Sequence, residues 1–288
     1  MLLLLQELII MRKIIVCVAI FSIFLNACRN KETSEGAHIL ENEDTLALEW
    51  VKIDTSLLPC EGDACTSIRF SFPIIITAPT PALKDSLTAT INSFALANMS
   101  EGYQKSSPQQ FITDFFVEYS AFQQSEPGYT TGWFVERDIQ ISALDNVIFS
   151  LNLMERSFLG GAHPNSYLLY VNMDKYGNKL ILDSLLTDDW KANLSAPAED
   201  AFREQQQVHP EVPLDDAGYF LFPDGDSEET FGLFQFNDNF LINEKGITFY
   251  YNSYEIAAYA TGPSSFTLDW KTLEPFIRAN SKLKSINR

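Results

Sequence analysis

Apolar residues in the first half of the chain follow a helical period in two places. Each of these segments is introduced by a hydroxyl residue and a proline, Thr80-Pro81 and Ser107-Pro108, a pair that is typical of a helix start. Residues three and four apart then form one apolar face, so the sequence predicts two amphipathic helices whose aromatic faces belong to a core. Ahead of them, residues 67–77 are β-rich, and Pro73 indicates an edge strand or a bulge.

From residue 132 the apolar period changes from helical spacing to two. Residues 133–141 and 147–153 alternate between apolar and polar side chains, and the turn-forming residues 143–146 lie between them. This pattern predicts an antiparallel hairpin. A third strand is predicted from the apolar positions 167, 169, 171 and 173, and residues 174–178 form its terminal turn.

The second half repeats this theme in another order. Residues 180–186 predict a short extended segment that bends into a turn, and residues 188–207 predict a helix that is broken near Pro197. Strands are expected near residues 231–236. A hairpin is expected where residues 240–242 face 247–251 across a glycine-containing loop.

The chain should end in one more strand and a helix. The last strand is predicted at residues 265–268, followed by a short helix capped by Asp269. Because helices and strands come in separate runs, we expect an α+β fold rather than βαβ units. The expected architecture is antiparallel sheets with helices packed on one face, in two tandem subdomains at residues 49–173 and 174–288.

The N-terminus has the pattern of a secretory signal. Met11-Arg12-Lys13 precedes the apolar residues 14–25, a run shorter than the roughly 20 residues of a spanning helix. We therefore interpret residues 1–27 as a signal peptide, with translation starting at Met11. The run ends in Leu25-Asn26-Ala27-Cys28, which resembles the lipobox of bacterial lipoproteins; the alternative is a plain secreted protein.

The lipobox resemblance implies cleavage before Cys28 and lipidation of that cysteine. Residues 28–48 are polar and acidic, so we interpret them as a flexible tether that carries the lipid at Cys28. Acyl chains would anchor the protein stably to a membrane. The expected location is the bacterial cell envelope, outside the cytoplasm, in the periplasm or at the cell surface.

Two further cysteines, Cys60 and Cys65, lie close together in the segment PCEGDACTS. In an oxidising compartment this spacing favours a disulfide. A zinc site is the alternative, but it needs more ligands than the three scattered histidines at 38, 163 and 209 offer. We expect no metal and no cofactor.

The chain is strongly acidic, with a net charge of −18 that becomes −19 when Glu7, Arg12 and Lys13 leave with the signal. Such a charge repels nucleic acid and anionic lipid, and it speeds encounter with a basic partner. Solubility alone is the simpler explanation. Nucleic acid is not an expected partner.

Known catalytic motifs are absent from the sequence. There is no G-x-S-x-G, no P-loop, no dinucleotide glycine fingerprint and no H-E-x-x-H. The acidic segment 223–230 offers oxygen ligands for calcium, or it is a solvated turn. Ser281 and Lys284 have S-x-x-K spacing in a polar tail, which we attribute to chance.

The most unusual stretch is Gly160-Gly161-Ala162-His163-Pro164, between two predicted strands. Adjacent glycines permit positive φ, and the proline restricts the residue before it, so we expect a rigid corner that holds His163 in one direction. His163 either hydrogen-bonds strand ends across the corner or binds a ligand or senses pH.

Three motifs resemble one bacterial family. GGAH occupies residues 160–163, a Leu-Asp-x-Leu/Phe step occupies 182–186, and Asn-x-Tyr-Glu-Ile-Ala-x-Tyr-x-x-Gly begins at Asn252. Over residues 50–280 the chain is similar to the pair of extracytoplasmic domains of unknown function shared by RsiV-type anti-sigma factors and PdaC-type peptidoglycan deacetylases. In the former this region recognises lysozyme, a basic protein; in the latter an additional domain performs the deacetylation.

The resemblance implies a binding protein without catalysis, with lysozyme or peptidoglycan as the expected ligand. The alternatives are an envelope hydrolase acting on cell-wall glycan, with His163 and Glu255 as acid/base partners, and an envelope assembly lipoprotein. The candidate binding residues are Gly160, Gly161, His163, Asn165, Asn252, Tyr254, Glu255, Tyr259 and Gly262. Of these, Tyr254, Glu255 and Tyr259 form either a binding patch next to the GGAH stretch or a packed lid.

Overall fold

The structure is a computed structural model that describes residues 45–58, 60, 62–97, 107–220 and 233–286. The predicted signal peptide, the lipidation site Cys28 and the acidic segment 223–230 lie outside these residues, as does most of the predicted tether. Within the described part of the chain, no helix has the length and apolar character needed to cross a bilayer.

The first half forms a five-stranded sheet in the order β1-β2-β3-β4-β5. Its strands are β1 (Ala47–Ser56), β2 (Ser67–Thr77), β3 (Phe134–Leu144), β4 (Ile148–Phe158) and β5 (Asn165–Asp174). All neighbouring strands are antiparallel except β2 and β3, which are parallel. The expectation of purely antiparallel sheets is therefore wrong at this pair, because the helical crossover between the two strands returns the chain to the same end of the sheet.

Two helices, α1 (Pro81–Ala95) and α2 (Pro108–Ser125), form that crossover. Both predicted caps are confirmed: the hydroxyl of Thr80 accepts from the Leu83 N–H, and that of Ser107 accepts from the Gln110 N–H, each at 3.1 Å. Their apolar faces are buried with one face of the sheet in a single core. Its largest members are Phe70, Phe72, Phe111, Phe115, Phe116 and Phe149.

Pro73 lies in β2, which has neighbours on both sides. Strand β3 pairs only with residues 67–71 of β2, so Pro73 faces Trp50 of β1 and has no partner on its other side. The expectation of an edge is thus correct locally. Strand β1 itself was not predicted, although Val51, Lys52, Ile53 and Asp54 alternate between apolar and charged residues. It begins two residues before the predicted boundary at 49.

The second half contains a three-stranded antiparallel sheet of β6 (Phe240–Asn243), β7 (Gly246–Tyr251) and β8 (Ser264–Asp269). The predicted hairpin β6-β7 is confirmed. Helix α3 (Leu182–Leu185) and helix α4 (Trp190–Gln206) precede this sheet. After β8, the carboxylate of Asp269 accepts from the Thr272 N–H at 2.7 Å and caps helix α5 (Trp270–Leu273), as predicted.

Two local predictions in this half are wrong, and a third is confirmed. Helix α4 runs through Pro197 without a break, because Leu194, Ala198 and Phe202 are fully buried and their packing offsets the roughly 3 kcal/mol that an interior proline costs. The turn predicted within residues 180–186 is confirmed as the helical turn at residues 182–185, which follows an extended Ile181. Residues 233–236 are irregular, since their aromatic rings fill the core instead of joining a strand ladder.

The free edge of β5 is closed by asparagine side chains. The side-chain oxygen of Asn252 accepts from the Leu168 N–H at 2.7 Å, and that of Asn239 accepts from the Tyr170 N–H at 2.8 Å. Asn172 in turn donates to the Phe240 carbonyl at 2.7 Å. These buried amides replace the backbone groups of a missing strand. They fix the second half of the chain against the first sheet.

Candidate functional site

The Gly-Gly corner joins β4 to β5, as the sequence pattern indicates. Gly160 has φ of 86° and Gly161 has φ of 111°, a region of backbone conformation that residues with a Cβ rarely adopt. We call residues 160–164 the corner. Its backbone requires glycine at both positions, so this motif has a conformational cause.

His163 is held by two tyrosines of the second half. Its ring is stacked on that of Tyr259, with centroids 3.6 Å apart, and its Nε2 lies 3.3 Å from the hydroxyl of Tyr254. The Tyr259 hydroxyl donates to the Pro164 carbonyl at 2.6 Å. The GGAH motif and the Asn-x-Tyr-Glu motif, distant in sequence, therefore form one cluster.

The other candidate residues lie around this cluster. Asn165 is exposed at the start of β5, opposite Ser157, and Gly262 has φ of 77° and donates its N–H to the Tyr259 carbonyl. Tyr254 also has a positive φ, 73°, and its side chain is 60% exposed. Tyr254 is thus the most accessible part of the cluster.

Glu255 faces a different set of partners. Its two carboxylate oxygens accept from Asn252 and Asn237, both at 3.1 Å. Among the described residues, the hydrogen bonds of His163 go to Pro164 and Tyr254. The structure therefore does not join His163 and Glu255 as the hydrogen-bonded acid/base pair that the hydrolase alternative requires.

Tyrosines near Glu255 are kept in their neutral form. Burial raises the pKa of Tyr167, and the negative charge of Glu255 raises it further. The same two causes, burial first, raise the pKa of Tyr251, whose hydroxyl donates to the Gln235 carbonyl at 2.7 Å. These phenols remain hydrogen-bond donors at neutral pH.

A groove of about 590 Å³ lies against the corner. Its lining has three parts: residues 162–164, which we call the corner wall, then Gly62 and Cys65, and residues of strands β2, β3 and β4, which we call the floor. We call this the corner groove. Its volume is within the range of small-molecule sites, about 300–1,000 Å³.

The part of the lining that contains Cys65 is fixed covalently. Cys60 and Cys65 form a disulfide. Gly132 packs on the backbone of this loop so tightly that a Cβ on the glycine would lie 2.4 Å from the Cys65 carbonyl oxygen. Gly132, which the sequence did not single out, is therefore required by close packing rather than by its backbone angles.

Charged side chains form a row across the groove floor and beyond it. Asp54, Arg69, Glu136 and Arg156 are consecutive partners on β1 to β4. We call this set the charge row. Arg69 donates to one oxygen of Glu136, Arg156 donates to the other at 3.0 Å, and the Asp54 carboxylate lies 3.6 Å from the Arg69 Nε.

Two aromatic rings adjoin the charge row. Phe134 and Phe158 are half-buried and stacked, with centroids 6.3 Å apart, and the guanidinium of Arg156 lies 5.9 Å from the centre of the Phe134 ring. The floor of the groove thus combines a polar row with an apolar surface. Within the described ranges, no group of three or more histidine, cysteine, aspartate or glutamate residues could hold a metal ion.

Comparison with known proteins gives the family relationship. Residues 60–166 match the family described as Deacetylase PdaC, and residues 183–271 match the family described as Protein of unknown function (DUF3298). The chain carries the predicted domain pair. The corner belongs to its PdaC-type domain, and Tyr254 and Tyr259 belong to its DUF3298 domain. No curated protein matches the chain.

Two solved structures share the architecture of the domain pair. A member of the DUF3298 family from Bacteroides fragilis is 23% identical, covering 82% of this chain and 96% of its own, with a TM-score of 0.59. A DUF3298 family protein from Pseudomonas aeruginosa is 18% identical, covering 83% of this chain and 97% of its own, with a TM-score of 0.57. At these identities the likeness shows a common fold alone.

Proposed function

We propose that the chain is a lipid-anchored binding protein of the bacterial cell envelope, without catalysis, and that the corner groove binds a fragment of peptidoglycan. The observation that carries this proposal is the wall of the groove. Its residues His163 and Pro164 are fixed by Tyr254 and Tyr259 of the other domain. The two domains of the pair therefore build one site together.

Rigidity of the groove supports a binding role. One part of the lining is held by a stacked ring pair on a glycine corner, and another part is a disulfide loop against Gly132. A site that is already ordered loses less conformational entropy when a ligand binds. Such a groove suits recognition of a fixed chemical shape.

The chemistry of the groove is that of a ligand with both polar and apolar faces. The charge row offers donors and acceptors, and the half-buried rings of Phe134 and Phe158 offer an apolar surface. Peptidoglycan fragments combine sugars with short peptides, and they present both kinds of surface. The separate partners of His163 and Glu255 favour binding over hydrolysis.

The test of this function is calorimetric titration of the chain from residue 29 onward with soluble peptidoglycan fragments. Ala162→Trp places a large ring at the groove wall and should weaken binding at least tenfold. Ala121→Trp, on an exposed position of α2, is the matched control and should bind as the native chain does. Equal binding by both variants, or no binding by the native chain, would contradict the proposal.

The membrane anchor is tested separately. In cells fed a labelled fatty acid, we expect the label on the full chain and none on the Cys28→Ala variant. The native protein should fractionate with membranes, and the variant should be found in the soluble fraction. A labelled variant, or an unlabelled native protein, would contradict lipidation at Cys28.

Lysozyme is the second candidate ligand, and the net charge of −18 is the observation that favours it. Opposite charge speeds association of proteins, but exposed charges are screened at about 0.15 M salt. Titration with lysozyme at low and at physiological salt decides between recognition and mere attraction. Saturable binding that persists at the higher salt supports a lysozyme receptor. Binding that disappears at the higher salt rules lysozyme out as the ligand.

A further inference from the structure

The charge row places two arginines at one point of the corner groove. Each donates to a different oxygen of Glu136, so the two guanidinium groups of Arg69 and Arg156 converge there. Their side chains are nevertheless 58% and 54% exposed. Arginine has five N–H donors, so each keeps donors for a ligand.

The groove lacks the acidic excess of the whole protein. Its formally charged lining residues are Arg69, Arg156 and Glu136, and Asp54 lies beside Arg69 just outside the lining, whereas the whole chain carries −18. A field of that sign disfavours anions at long range. Cations that converge in a cleft of such a protein point to short-range recognition of an anionic group.

We propose that Arg69 and Arg156 bind a carboxylate of the groove ligand, so that the fragment recognised is an acidic one. This inference rests on the proposed function and names the ligand chemistry. The planar guanidinium matches a carboxylate with two parallel hydrogen bonds. Glu136 and the Phe134 ring hold Arg156 in position, which reduces the entropy lost on binding.

The apolar part of the ligand is placed by the same geometry. Phe134 and Phe158 lie two register positions nearer the corner than the Glu136–Arg156 pair, and therefore on the same sheet face. A ligand whose carboxylate meets the arginines therefore lays its neighbouring carbon skeleton over these rings. In peptidoglycan, the carboxylate comes either from the lactyl group of muramic acid or from the end of the stem peptide.

Calorimetric titration with two kinds of fragment distinguishes these sources. N-acetylmuramic acid offers the lactyl carboxylate alone, whereas a muramyl peptide has that group amide-linked and offers a peptide carboxylate. Each is compared with its amidated form. Binding of the free acid over its amide identifies the source, and we expect a difference of about tenfold to a hundredfold.

Substitutions assign the effect to the arginines. Arg69→Gln and Arg156→Gln should each weaken binding of the free acid about tenfold or more and should abolish its advantage over the amide. Lys52→Gln is the matched control, since it removes one cation from the same sheet face outside the groove lining, and should change affinity less than twofold. Circular dichroism and the thermal midpoint verify that each variant is folded.

The outcomes separate this inference from the proposed function. If fragments bind but the arginine variants and the amides bind equally well, carboxylate recognition is wrong and the groove remains the binding site. If no fragment binds the native chain, the proposed function fails and the inference with it.

Discussion

The imidazole ring of His163 lies almost parallel to the phenol ring of Tyr259, with centroids 3.6 Å apart and an angle of 18° between the planes. His163 belongs to the corner after β4, and Tyr259 belongs to the loop before β8. This contact, with the bond from the Tyr259 hydroxyl to Pro164, fixes the groove wall from the neighbouring domain. The wall should therefore respond to changes outside the first sheet.

Replacing Tyr259 tests this coupling. Tyr259→Phe keeps the ring and loses the hydrogen bond to Pro164, so we expect unfolding free energy to fall by about 1 kcal/mol. Tyr259→Ala also loses the stacked ring and should lower it by about 1 kcal/mol more. Urea denaturation measures both, and hydrogen exchange at residues 160–165 should become faster in the same order.

Tyr176→Phe is the control for the loss of a hydroxyl, since Tyr176 is half exposed. It should leave both stability and exchange at the corner unchanged. If Tyr259→Ala had the same unfolding free energy and the same exchange rates at residues 160–165 as this control, the contact between the domains would not stabilise the corner.

Alanine in place of a corner glycine should destabilise the protein, whereas alanine in place of a glycine with an ordinary backbone conformation should not. Gly160→Ala forces a residue with a Cβ to φ of 86°, which should cost about 1–2 kcal/mol of unfolding free energy. Gly128→Ala is the matched control, because no atom lies within 4 Å of its Cβ position and its φ is not in the strained region. Thermal denaturation should show the first variant destabilised and the second unchanged or slightly stabilised. Equal effects would contradict the conformational origin of the motif.

Buried Arg137 is predicted to be essential for the first domain. It donates to the Ala95 and Ala97 carbonyls at 2.7 Å and to the Glu155 carboxylate at 2.8 Å, so it closes the end of α1. Burial lowers its pKa, and Glu155 opposes that shift. Arg137→Met leaves Glu155 largely buried without its cation and should cost about 3 kcal/mol or more.

A second substitution verifies the cause of that loss. Arg137→Met combined with Glu155→Leu removes the unpaired carboxylate and should recover part of the lost unfolding free energy, as measured by urea denaturation. If the double variant were no more stable than the single one, the unpaired charge would not be the origin of the effect.

Asp174 predicts a dependence of stability on pH. Burial would raise its pKa, but hydrogen bonds from Asn178 and Tyr176 and the charge of Lys282 more than offset this, so the pKa is lowered. A carboxylate with a lowered folded-state pKa stabilises the fold above about pH 4, and the contribution is lost as the pH falls through the folded-state value.

Asp174→Asn should therefore be less stable than the native chain by about 2 kcal/mol at pH 7, and the difference should shrink below about pH 4. Urea denaturation across this range measures the difference. Asp216→Asn, at an exposed position, should show no difference at any pH. A constant deficit for Asp174→Asn would show that its charge is not responsible.

Local features of the fold could be predicted from the sequence because their causes are local. The caps Thr80 and Ser107 act on residues three positions away, and the turn between β3 and β4 follows from Asp145 and Asn146, which both have positive φ. The helices and the hairpin follow from such neighbours.

Pairing between strands that are far apart in the sequence could not be predicted in the same way. Arg69 and Glu136 are outward-facing residues of predicted strands, but they are 67 positions apart, and parallel pairing of β2 with β3 is needed to join them. No periodicity specifies that register. The charge row was therefore missed, whereas the corner was found because Gly160 and Gly161 have a local conformational requirement.

Proximity of the two recognised motifs was expected, but its geometry was not. The sequence suggested Tyr254, Glu255 and Tyr259 as a patch beside His163. The two tyrosines contact the histidine, and Glu255 instead accepts from asparagines. These partners depend on the fold of both domains, which no local pattern specifies.

Binding of peptidoglycan in the corner groove is tested most directly by nuclear magnetic resonance, as a map of backbone amide shifts while a muramyl peptide is added to the chain from residue 29 onward. We expect saturable shifts clustered at five residues that line the groove: Cys65, Arg69, Phe134, Arg156 and His163. Shifts confined to another surface, or no shifts at saturating ligand, would contradict binding there.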